Sequence, residues 1–312
     1  MKEIVQPIYK PNIPAIVFTI DDGYVPYFSV ALTGLLKNSS TARSYDIVVL
    51  YRILSAENKK ILLTECQKYA NVSLRFYNID ELIKGNDCEK WVSNIAHINE
   101  VAYYRLYIPE IFAKYKKVIF LDADICIDGD ISGLYDIDLQ DNYLAAVRGC
   151  MSVYSQVYST CVDNSAYEFV QYVNDVLRID DKNYFNAGIL VFNVEKILQD
   201  KKNEDFIAKL NIVSSLKYND QDILNICCAG RVKYLGCEWN YCPKYTRIND
   251  KKQYDKMLGD KVKIYHYIGS DKPWLNQQRQ FHNVFYCYAM LSPYWNFFCK
   301  TISLESVRNV SD

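Results

Sequence analysis

Short apolar segments alternate with segments of helical length over the first 121 residues, and this alternation constrains the fold more than any other feature. An apolar, β-branched run at residues 13–20 predicts a buried parallel strand, and further strands are predicted at residues 46–51, 72–77 and 117–121. The segments that predict helices between them span residues 24–37, 55–69 and 100–112. This alternation indicates an α/β fold with a doubly wound sheet and right-handed crossovers.

The pattern is looser beyond residue 124. It predicts strands at residues 143–147, 188–192 and 263–267 and helices at residues 167–177 and 205–216. Residues 85–99 are irregular and are predicted to form an insertion or a lid. Because no Pro/Gly/Ser-rich linker, charge block or repeat divides the sequence, we predict one domain at 1–274 with a mixed, mainly parallel sheet. An aromatic-rich segment follows at 275–312.

The composition excludes several classes of protein. Hydrophobic residues make up 50% and charged residues 23% of the 312 residues, which excludes a disordered or fibrous chain. The net charge is −1, so no nucleic-acid partner bound through a basic surface is expected. The scarcity of glycine, at 11 residues, disfavours a glycine-rich phosphate loop, and the role of the 28 tyrosines stays open.

The cysteines and apolar segments predict a cytoplasmic protein. Eleven cysteines are scattered without the i, i+3 spacing of zinc or redox motifs, which is typical of reduced thiols. The N-terminus carries no apolar run of signal-peptide length. Residues 281–302 are aromatic with Lys300 as their one Lys, Arg, Asp or Glu, so they either pack on the domain or lie at a membrane surface. Packing is the favoured interpretation.

Acidic residues follow two of the predicted strands directly. Asp21 and Asp22 end the first, and Asp122 and Asp124 end the strand at 117–121. Side chains two residues apart on an extended segment share a face, so Asp122 and Asp124 can address one ion, and carboxylates suit Mn²⁺ or Mg²⁺. The same D-x-D spacing recurs at Asp128/Asp130, Asp136/Asp138 and Asp220/Asp222. Capping or turn-forming carboxylates are therefore the alternative.

His266 ends the late apolar strand and precedes Gly269 and Lys272. An imidazole can complete a Mn²⁺ shell that two carboxylates begin. Lys272 can place a charge on phosphate oxygens, and Gly269 allows a backbone N–H to approach them. The alternative is a hydrogen-bonded core histidine followed by a turn.

Three further groups are candidates for binding. Asn186 and Ala187 precede an apolar run, where small residues let a ligand approach the backbone, although a tight turn explains them equally well. Asp220 opens a predicted helix and can simply be its N-cap. Arg105 lies on a largely apolar helix and needs an anionic partner, or it extends to solvent.

Six motifs together resemble glycosyltransferase family 8, which includes bacterial lipopolysaccharide glucosyl- and galactosyltransferases and glycogenin. They are the Asp21-Asp22 pair, AYYRLYIPE, VIFLDADI, FNAGILVFN, NDQDILN and HYIGSDKPW, and they occur in the family's order over residues 13–274. The resemblance implies a GT-A fold, in which one nucleotide-binding α/β domain carries the metal motif at the end of a central strand.

The resemblance also implies roles for individual residues. The matches to the metal ligands are Asp122, Asp124 and His266. Asp21 matches the acid that binds the uracil ring, and Thr19 lines the base and ribose pocket. Gly269 and Lys272 match the diphosphate contacts. Gly23 departs from the asparagine of many members, which puts that one nucleotide contact in doubt.

On the sugar side, Arg105 matches the arginine that contacts the donor sugar and phosphate. Asn186 and Ala187 match the sugar-binding turn, and Asp220 and Gln221 match the pair at the sugar's reacting face. The resemblance thus implies a retaining transferase that uses Mn²⁺, with Mg²⁺ as the alternative ion. The donor would be a UDP-hexose, glucose or galactose, and the acceptor a surface glycan or glycolipid.

The mechanism and two other functions are left open. A double displacement needs a carboxylate nucleophile, and Gln221 carries no charge, so we favour front-face attack with Gln221 and Asp220 positioning the sugar. A glycogenin-like protein that glucosylates its own tyrosine is one alternative. A homologue that binds nucleotide or carbohydrate without turnover is the other. Metal-dependent UDP release and a gain in intact mass distinguish the three.

Overall fold

Seven strands form the central sheet of the protein. The structure is a computed structural model, and it describes residues 4–9, 13–83, 100–152, 164–243, 262–270, 272–275 and 281–300. The strands are β1 (Ala15–Thr19), β2 (Tyr45–Tyr51), β3 (Val72–Asn78), β4 (Lys117–Leu121), β6 (Leu144–Arg148), β7 (Phe185–Asn193) and β8 (Val232–Leu235). Their order across the sheet is β3-β2-β1-β4-β7-β6-β8. A second sheet pairs β5 (Ile125–Ile127) with β9 (Ile264–His266).

The predicted mixed, mainly parallel sheet is confirmed. Strands β3, β2, β1 and β4 are parallel to one another, whereas β7 runs antiparallel to both β4 and β6. Strand β8 pairs parallel with β6. Strand β7 is therefore the one reversed strand of the seven-stranded sheet, and it forms a seam with β4 in the middle of the sheet.

Helices cover the sheet. They are α1 (Val25–Asn38), α2 (Ala56–Cys66), α3 (Asp80–Ile83), α4 (Ile108–Ile111), α5 (Asn164–Gln171), α6 (Val194–Gln199), α7 (Lys202–Ala208), α8 (Asn219–Cys228) and α9 (His282–Ala289). Pro26 lies in the first turn of α1, where its missing N–H is harmless, and Ser55 caps α2 by accepting from the Asn58 N–H. Both features agree with the sequence pattern.

The helix predicted at residues 100–112 is wrong in type over most of its length. Glu100–Tyr107 is a 3-10 helix, and the α-helix α4 begins only at Ile108. Pro109 lies in the first turn of α4, where its missing N–H is harmless. The tighter 3-10 turns carry Arg105 into the protein interior.

Two other helices are shorter than predicted and continue in another form. A π-helix at Tyr172–Val176 follows α5, and a 3-10 helix at Lys209–Ser215 follows α7. The predicted strand at 188–192 is the centre of the nine-residue β7. The predicted insertion at residues 85–99 lies outside the described residues.

The C-terminal residues pack on α1 through aromatic rings. Tyr27 of α1 stacks on Trp274 with ring centroids 4.0 Å apart, and Phe285 of α9 lies 5.3 Å from the same indole. No helix in the part of the chain that the structure describes is long and apolar enough to cross a bilayer.

Candidate active site

Side chains of the kind that coordinate metal ions lie together at the carboxyl end of β4, beside the β4–β7 seam. Asp122 and Asp124 follow β4 directly, and His266 is the last residue of β9. Strand β5, directly after Asp124, pairs with β9, so that Ile125 lies opposite His266. The second sheet therefore brings an imidazole from late in the chain to the two carboxylates.

The three side chains predicted as metal ligands lie together. One ligand atom from each of Asp122, Asp124 and His266 falls within 4.8 Å of the others. His266 Nε2 lies 3.3 Å from Asp124 Oδ1 and 3.6 Å from Asp122 Oδ2. Two carboxylate oxygens and one imidazole nitrogen form a donor set that suits Mn²⁺ and also admits Mg²⁺. The residues present thus fit a divalent ion.

Cations balance the two carboxylates. Burial raises the pKa of Asp122, and the neighbouring Arg105 opposes that rise. Burial acts on Asp124 in the same direction, but Lys272 and His266 together outweigh it and hold the pKa of Asp124 well below its usual range. The Lys272 ammonium contacts Asp124 Oδ2 directly and donates to the Tyr267 carbonyl at 2.5 Å. Gly269, at φ +60°, forms the turn between them.

Arg105 joins the acids that are predicted to bind the ion to the predicted sugar side. Its Nη2 lies 2.9 Å from Asp122 Oδ1, and its Nε lies 3.0 Å from Asp220 Oδ2. Its Nη1 donates to the Ala187 carbonyl at 2.6 Å, and its plane covers the Phe120 ring. Arg105 is only 6% exposed, so the carboxylate-partner interpretation is the correct one.

Asp220 is not an N-cap. Helix α8 begins at Asn219, its N-cap is Tyr218, and Asp220 lies in the first turn. Burial raises the pKa of Asp220 to about 6, although Arg105 opposes this. Asn219 adopts φ +49°, a left-handed conformation that asparagine tolerates better than most residues. The turn that carries Asp220 and Gln221 is therefore locally strained.

The predicted sugar-binding residues contact each other. Gln221 Oε1 accepts from Asn186 Nδ2 at 3.1 Å and from the Ala187 N–H at 3.0 Å. Gln221 Nε2 donates to the Tyr184 hydroxyl at 3.0 Å. Both lone pairs of Oε1 and one N–H of Nε2 thus have partners.

Asp222 lies behind Gln221 and is fully buried. Its Oδ1 accepts from the Tyr184 hydroxyl at 2.6 Å, and its Oδ2 accepts from the Tyr172 hydroxyl at 2.6 Å and from the Tyr218 N–H at 2.8 Å. A carboxylate with these partners, away from solvent, serves as an anchor for the hydroxyls around it.

The predicted base-binding residues lie at the end of β1, next to β4. Thr19 is buried as the last residue of β1. Asp21 caps a 3-10 turn, and its Oδ1 accepts from the Tyr24 N–H at 2.9 Å. Burial raises the pKa of Tyr24, and Asp124, Asp122 and Asp21 raise it further. The charges of these acids therefore act on the Tyr24 hydroxyl.

Sequence reasoning missed the role of Gly188. A Cβ at this position would lie 2.2 Å from His266 Cε1 and 2.8 Å from Asp122 Oδ2. The Gly188 carbonyl also accepts from the Asp122 N–H at 2.8 Å. Gly188 thus leaves the space that the imidazole fills. Its place in the FNAG motif was the available signal.

Asn240 was also missed. It is 5% exposed, and its side chain contacts both His266 and Asn186. These partners are 26 and 54 residues away, so no local pattern connects them.

Comparison with known proteins agrees with this arrangement. The family model described as glycosyl transferase family 8 matches residues 15–278. A lipopolysaccharide 1,2-glucosyltransferase of Escherichia coli is 27% identical over 265 residues, which cover 82% of this chain and 71% of that protein.

Two solved structures share the fold. The bifunctional glycosyltransferase WbbM, in its apo form, matches with a TM-score of 0.79 and 27% identity over 96% of this chain. This chain spans about half of that one, 53% of its length. The galactosyltransferase LgtC, in complex with donor and acceptor sugar analogues, matches with a TM-score of 0.69 and 24% identity. The match covers 89% of this chain and 96% of that one.

These matches confirm the predicted GT-A architecture and the resemblance drawn from the six motifs. The family model also covers the part of the chain that carries every candidate site residue, from Thr19 to Lys272. By these findings the chain belongs to glycosyl transferase family 8.

Proposed function

We propose that this chain is a metal-dependent, retaining transferase that moves a hexose from a UDP-sugar to a glycan acceptor. The observation that carries the proposal is the convergence of Asp122, Asp124 and His266 beyond β4, with Arg105 connecting them to Asp220. Mn²⁺ is the proposed ion and Mg²⁺ the alternative, because the donor set combines two carboxylates with an imidazole.

We assign the proposed roles of the site residues from their charges. Asp122, Asp124 and His266 would hold the ion, which when bound supplies positive charge for the leaving diphosphate. Lys272, next to Asp124, is proposed to face the diphosphate together with the Gly269 backbone. Thr19 and Asp21 are proposed to bind the uridine from the neighbouring end of β1.

On the sugar side, Arg105, Asn186, Ala187 and Asp220 are proposed to hold the hexose. Gln221 is proposed to position its reacting carbon. Front-face attack is supported by the hydrogen bonds of Gln221, since its Oε1 already accepts from two donors and is a poor nucleophile.

The nearby carboxylates also support front-face attack. Asp222 is fully buried behind Gln221, and Asp220 is paired with Arg105 at 3.0 Å. Neither is arranged as a free nucleophile. The acceptor hydroxyl would then attack from the side of the leaving diphosphate, and the anomeric configuration would be retained.

Donor and acceptor classes are part of the proposal. The similar E. coli protein is a lipopolysaccharide 1,2-glucosyltransferase, and LgtC is a galactosyltransferase, which supports UDP-glucose or UDP-galactose as donor. A surface polysaccharide or a lipopolysaccharide is the proposed acceptor. We propose residues 1–274 as the catalytic domain, working in the cytoplasm.

Weak contact of residues 281–302 with the inner membrane surface belongs to the same proposal. It is supported by the exposed side chains of Met290 and Leu291, and by Phe297, which is exposed although its ring also contacts Tyr27 of α1. Flotation with anionic liposomes tests it, because Met290→Ser combined with Leu291→Ser should abolish co-flotation. Equal flotation of the wild-type protein and the double variant would contradict this proposal.

Donor hydrolysis and transfer test the main proposal. Purified protein is incubated with UDP-glucose or UDP-galactose, with Mn²⁺, with Mg²⁺ or with EDTA, and released UDP is measured. We expect release that requires a divalent ion and rises with a glycan acceptor, whose product retains the donor's anomeric configuration by NMR. Nucleotide binding without release would favour the non-catalytic alternative, and a hexose gain in intact mass would favour self-glycosylation.

A further inference from the structure

Asn240 lies between the metal-ligand imidazole and the sugar-binding amides. It follows the 3-10 turn Cys237–Trp239. The Tyr241 N–H donates to the Ile264 carbonyl at 2.9 Å, and the His266 N–H donates to the Tyr241 carbonyl at 2.7 Å. These backbone bonds hold Asn240 beside the end of β9, where its side chain is almost fully buried.

The hydrogen bonds of Asn240 have a defined direction that begins at a backbone donor. The Gly188 N–H donates to one oxygen of the Asn186 amide at 2.9 Å, so that atom is Oδ1. The Asn240 atom 2.7 Å from the same oxygen must be a donor and is therefore Nδ2. This leaves Asn240 Oδ1 to face His266 Nδ1, at 2.9 Å.

The same reasoning determines where His266 carries a proton. Because Asn240 Oδ1 only accepts, His266 Nδ1 must hold the hydrogen. In the neutral imidazole, Nε2 then faces Asp122 and Asp124 with its lone pair available to an ion.

A second backbone donor gives the same directions from the other end. The Ala187 N–H donates to Gln221 Oε1, which identifies that atom as the carbonyl oxygen. The Asn186 atom 3.1 Å from it is then Nδ2, in agreement with the assignment from Gly188. The amides of Asn240, Asn186 and Gln221 thus form one directed chain that starts at His266.

From this chain we infer that Asn240 is a positioning residue that connects the ion-binding imidazole to the amide at the sugar's reacting face. The inference rests on the proposed function. Asn240 touches neither the ion nor the donor in this role, because it acts through His266 on one side and through Asn186 on the other.

Two substitutions separate the two contacts. Asn240→Asp keeps an acceptor for His266 Nδ1 but places a second acceptor against Asn186 Oδ1, which breaks the link toward Gln221. Asn240→Ala removes both contacts. Asn193→Ala is the matched control, since Asn193 is a partly buried amide that caps α6 and bonds to the carbonyls of Gln140 and Asn142 at the far end of β7.

The first readout is Mn²⁺ binding in the presence of UDP, measured by electron paramagnetic resonance. We expect Asn240→Ala to weaken Mn²⁺ about tenfold or more, and Asn240→Asp to keep the affinity within about threefold of wild type. Kinetics give the second readout. For Asn240→Asp, kcat should fall about tenfold while the KM for the UDP-sugar stays within about twofold.

The third readout is the position of the imidazole proton in the metal-free protein. With ¹⁵N-labelled histidine at about pH 8.5, where a free imidazole is neutral, we expect Nδ1 of His266 to stay protonated in wild type and in Asn240→Asp. In Asn240→Ala the proton should move to Nε2. The chain has three histidines, and a His266→Gln spectrum assigns the signal.

The inference is overturned if both Asn240 variants keep the wild-type kcat. It is also overturned if kcat and Mn²⁺ affinity fall in both variants in proportion to a loss of Tm, and Asn193→Ala shows the same losses. It is also overturned if Nδ1 stays protonated in Asn240→Ala. A wild-type enzyme that turns over without a divalent ion contradicts the proposed function instead, and the proton position still tests Asn240 on its own.

Discussion

The two sides of the candidate site use different chemistry. The charged side, next to β4 and β9, consists of Asp122, Asp124, His266, Lys272 and Arg105. The amide side, next to β7 and α8, consists of Asn186, Gln221, Tyr184 and Asn240. Ions and phosphates need formal charge, whereas neutral amides orient a sugar without adding charge to its reacting carbon. The contrast predicts that each side can be damaged separately.

The largest effect is expected from the charged side. Asp124→Ala should lower metal-dependent UDP release about 10³-fold, because it removes one of the two carboxylates of the ion-binding cluster. Asp136→Ala is the matched control, since Asp136 belongs to another D-x-D and forms an exposed ion pair with Arg43. Unchanged release in Asp124→Ala would disprove the metal assignment.

Gly188→Ala should damage the charged side from the β7 backbone. The added methyl group would overlap His266 and displace the imidazole, and we expect about a 10²-fold loss of turnover with weaker Mn²⁺ binding. Gly230→Ala is the control for backbone effects, because Gly230 has φ +74° and no neighbour within 4 Å of an added Cβ. That control should cost about 1 kcal/mol of stability and leave Mn²⁺ affinity unchanged.

The pH dependence of kcat tests Asp220, which connects the two sides of the site. Since burial raises the pKa of Asp220 to about 6, the carboxylate is ionised above that pH and neutral below it. We expect kcat to fall about tenfold per pH unit below about pH 6, as the charge that pairs with Arg105 is lost. In Asp220→Asn the residual activity should lack this acidic limb. If the acidic limb of the kcat profile persists in Asp220→Asn, the titration of another group causes it.

The smallest effect is expected on the amide side. Tyr184→Phe removes the hydroxyl that accepts from Gln221 and donates to Asp222, and should lower kcat about fivefold without changing Mn²⁺ affinity. Tyr172→Phe removes a hydroxyl from the same carboxylate without touching Gln221. Both should lose about 1–3 kcal/mol of stability, and equal kcat values would show that the Gln221 contact is unimportant.

The tyrosine richness of the chain is partly explained. In the described part of the chain, the largest fully buried side chains include Tyr45, Tyr103, Tyr104, Tyr107, Tyr184, Tyr241 and Tyr267. Tyr172 and Tyr184 also anchor Asp222. These rings serve packing and hydrogen bonding, so the number of tyrosines by itself does not favour self-glycosylation.

The first half of the fold was predictable because its signals are local. Strands β1, β2 and β4 are short, mainly apolar runs, and Ser55 and Pro26 mark helix starts within their own turns. Parallel neighbours joined by helices follow from that alternation. In the second half, the apolar run at residues 188–192 is visible in the sequence, but neither the nine-residue length of β7 nor its antiparallel pairing with β4 is.

The charged side was also predictable, since Asp122 and Asp124 follow a buried strand and His266 ends another. Helix type was not, because the apolar pattern of residues 100–107 does not distinguish a 3-10 helix from an α-helix. The role of Asp220 was open between a cap and a buried ion pair until its neighbours were known.

The sequence alone thus determined the α/β class, the family and the identity of the charged residues, because these are carried by continuous motifs. Only the tertiary structure decided that Arg105 joins Asp122 to Asp220, that Gly188 makes room for His266, and that Asn240 connects His266 to Asn186. Those contacts join residues far apart in the chain. Hydrogen-bond direction depends on geometry, which residue spacing does not encode.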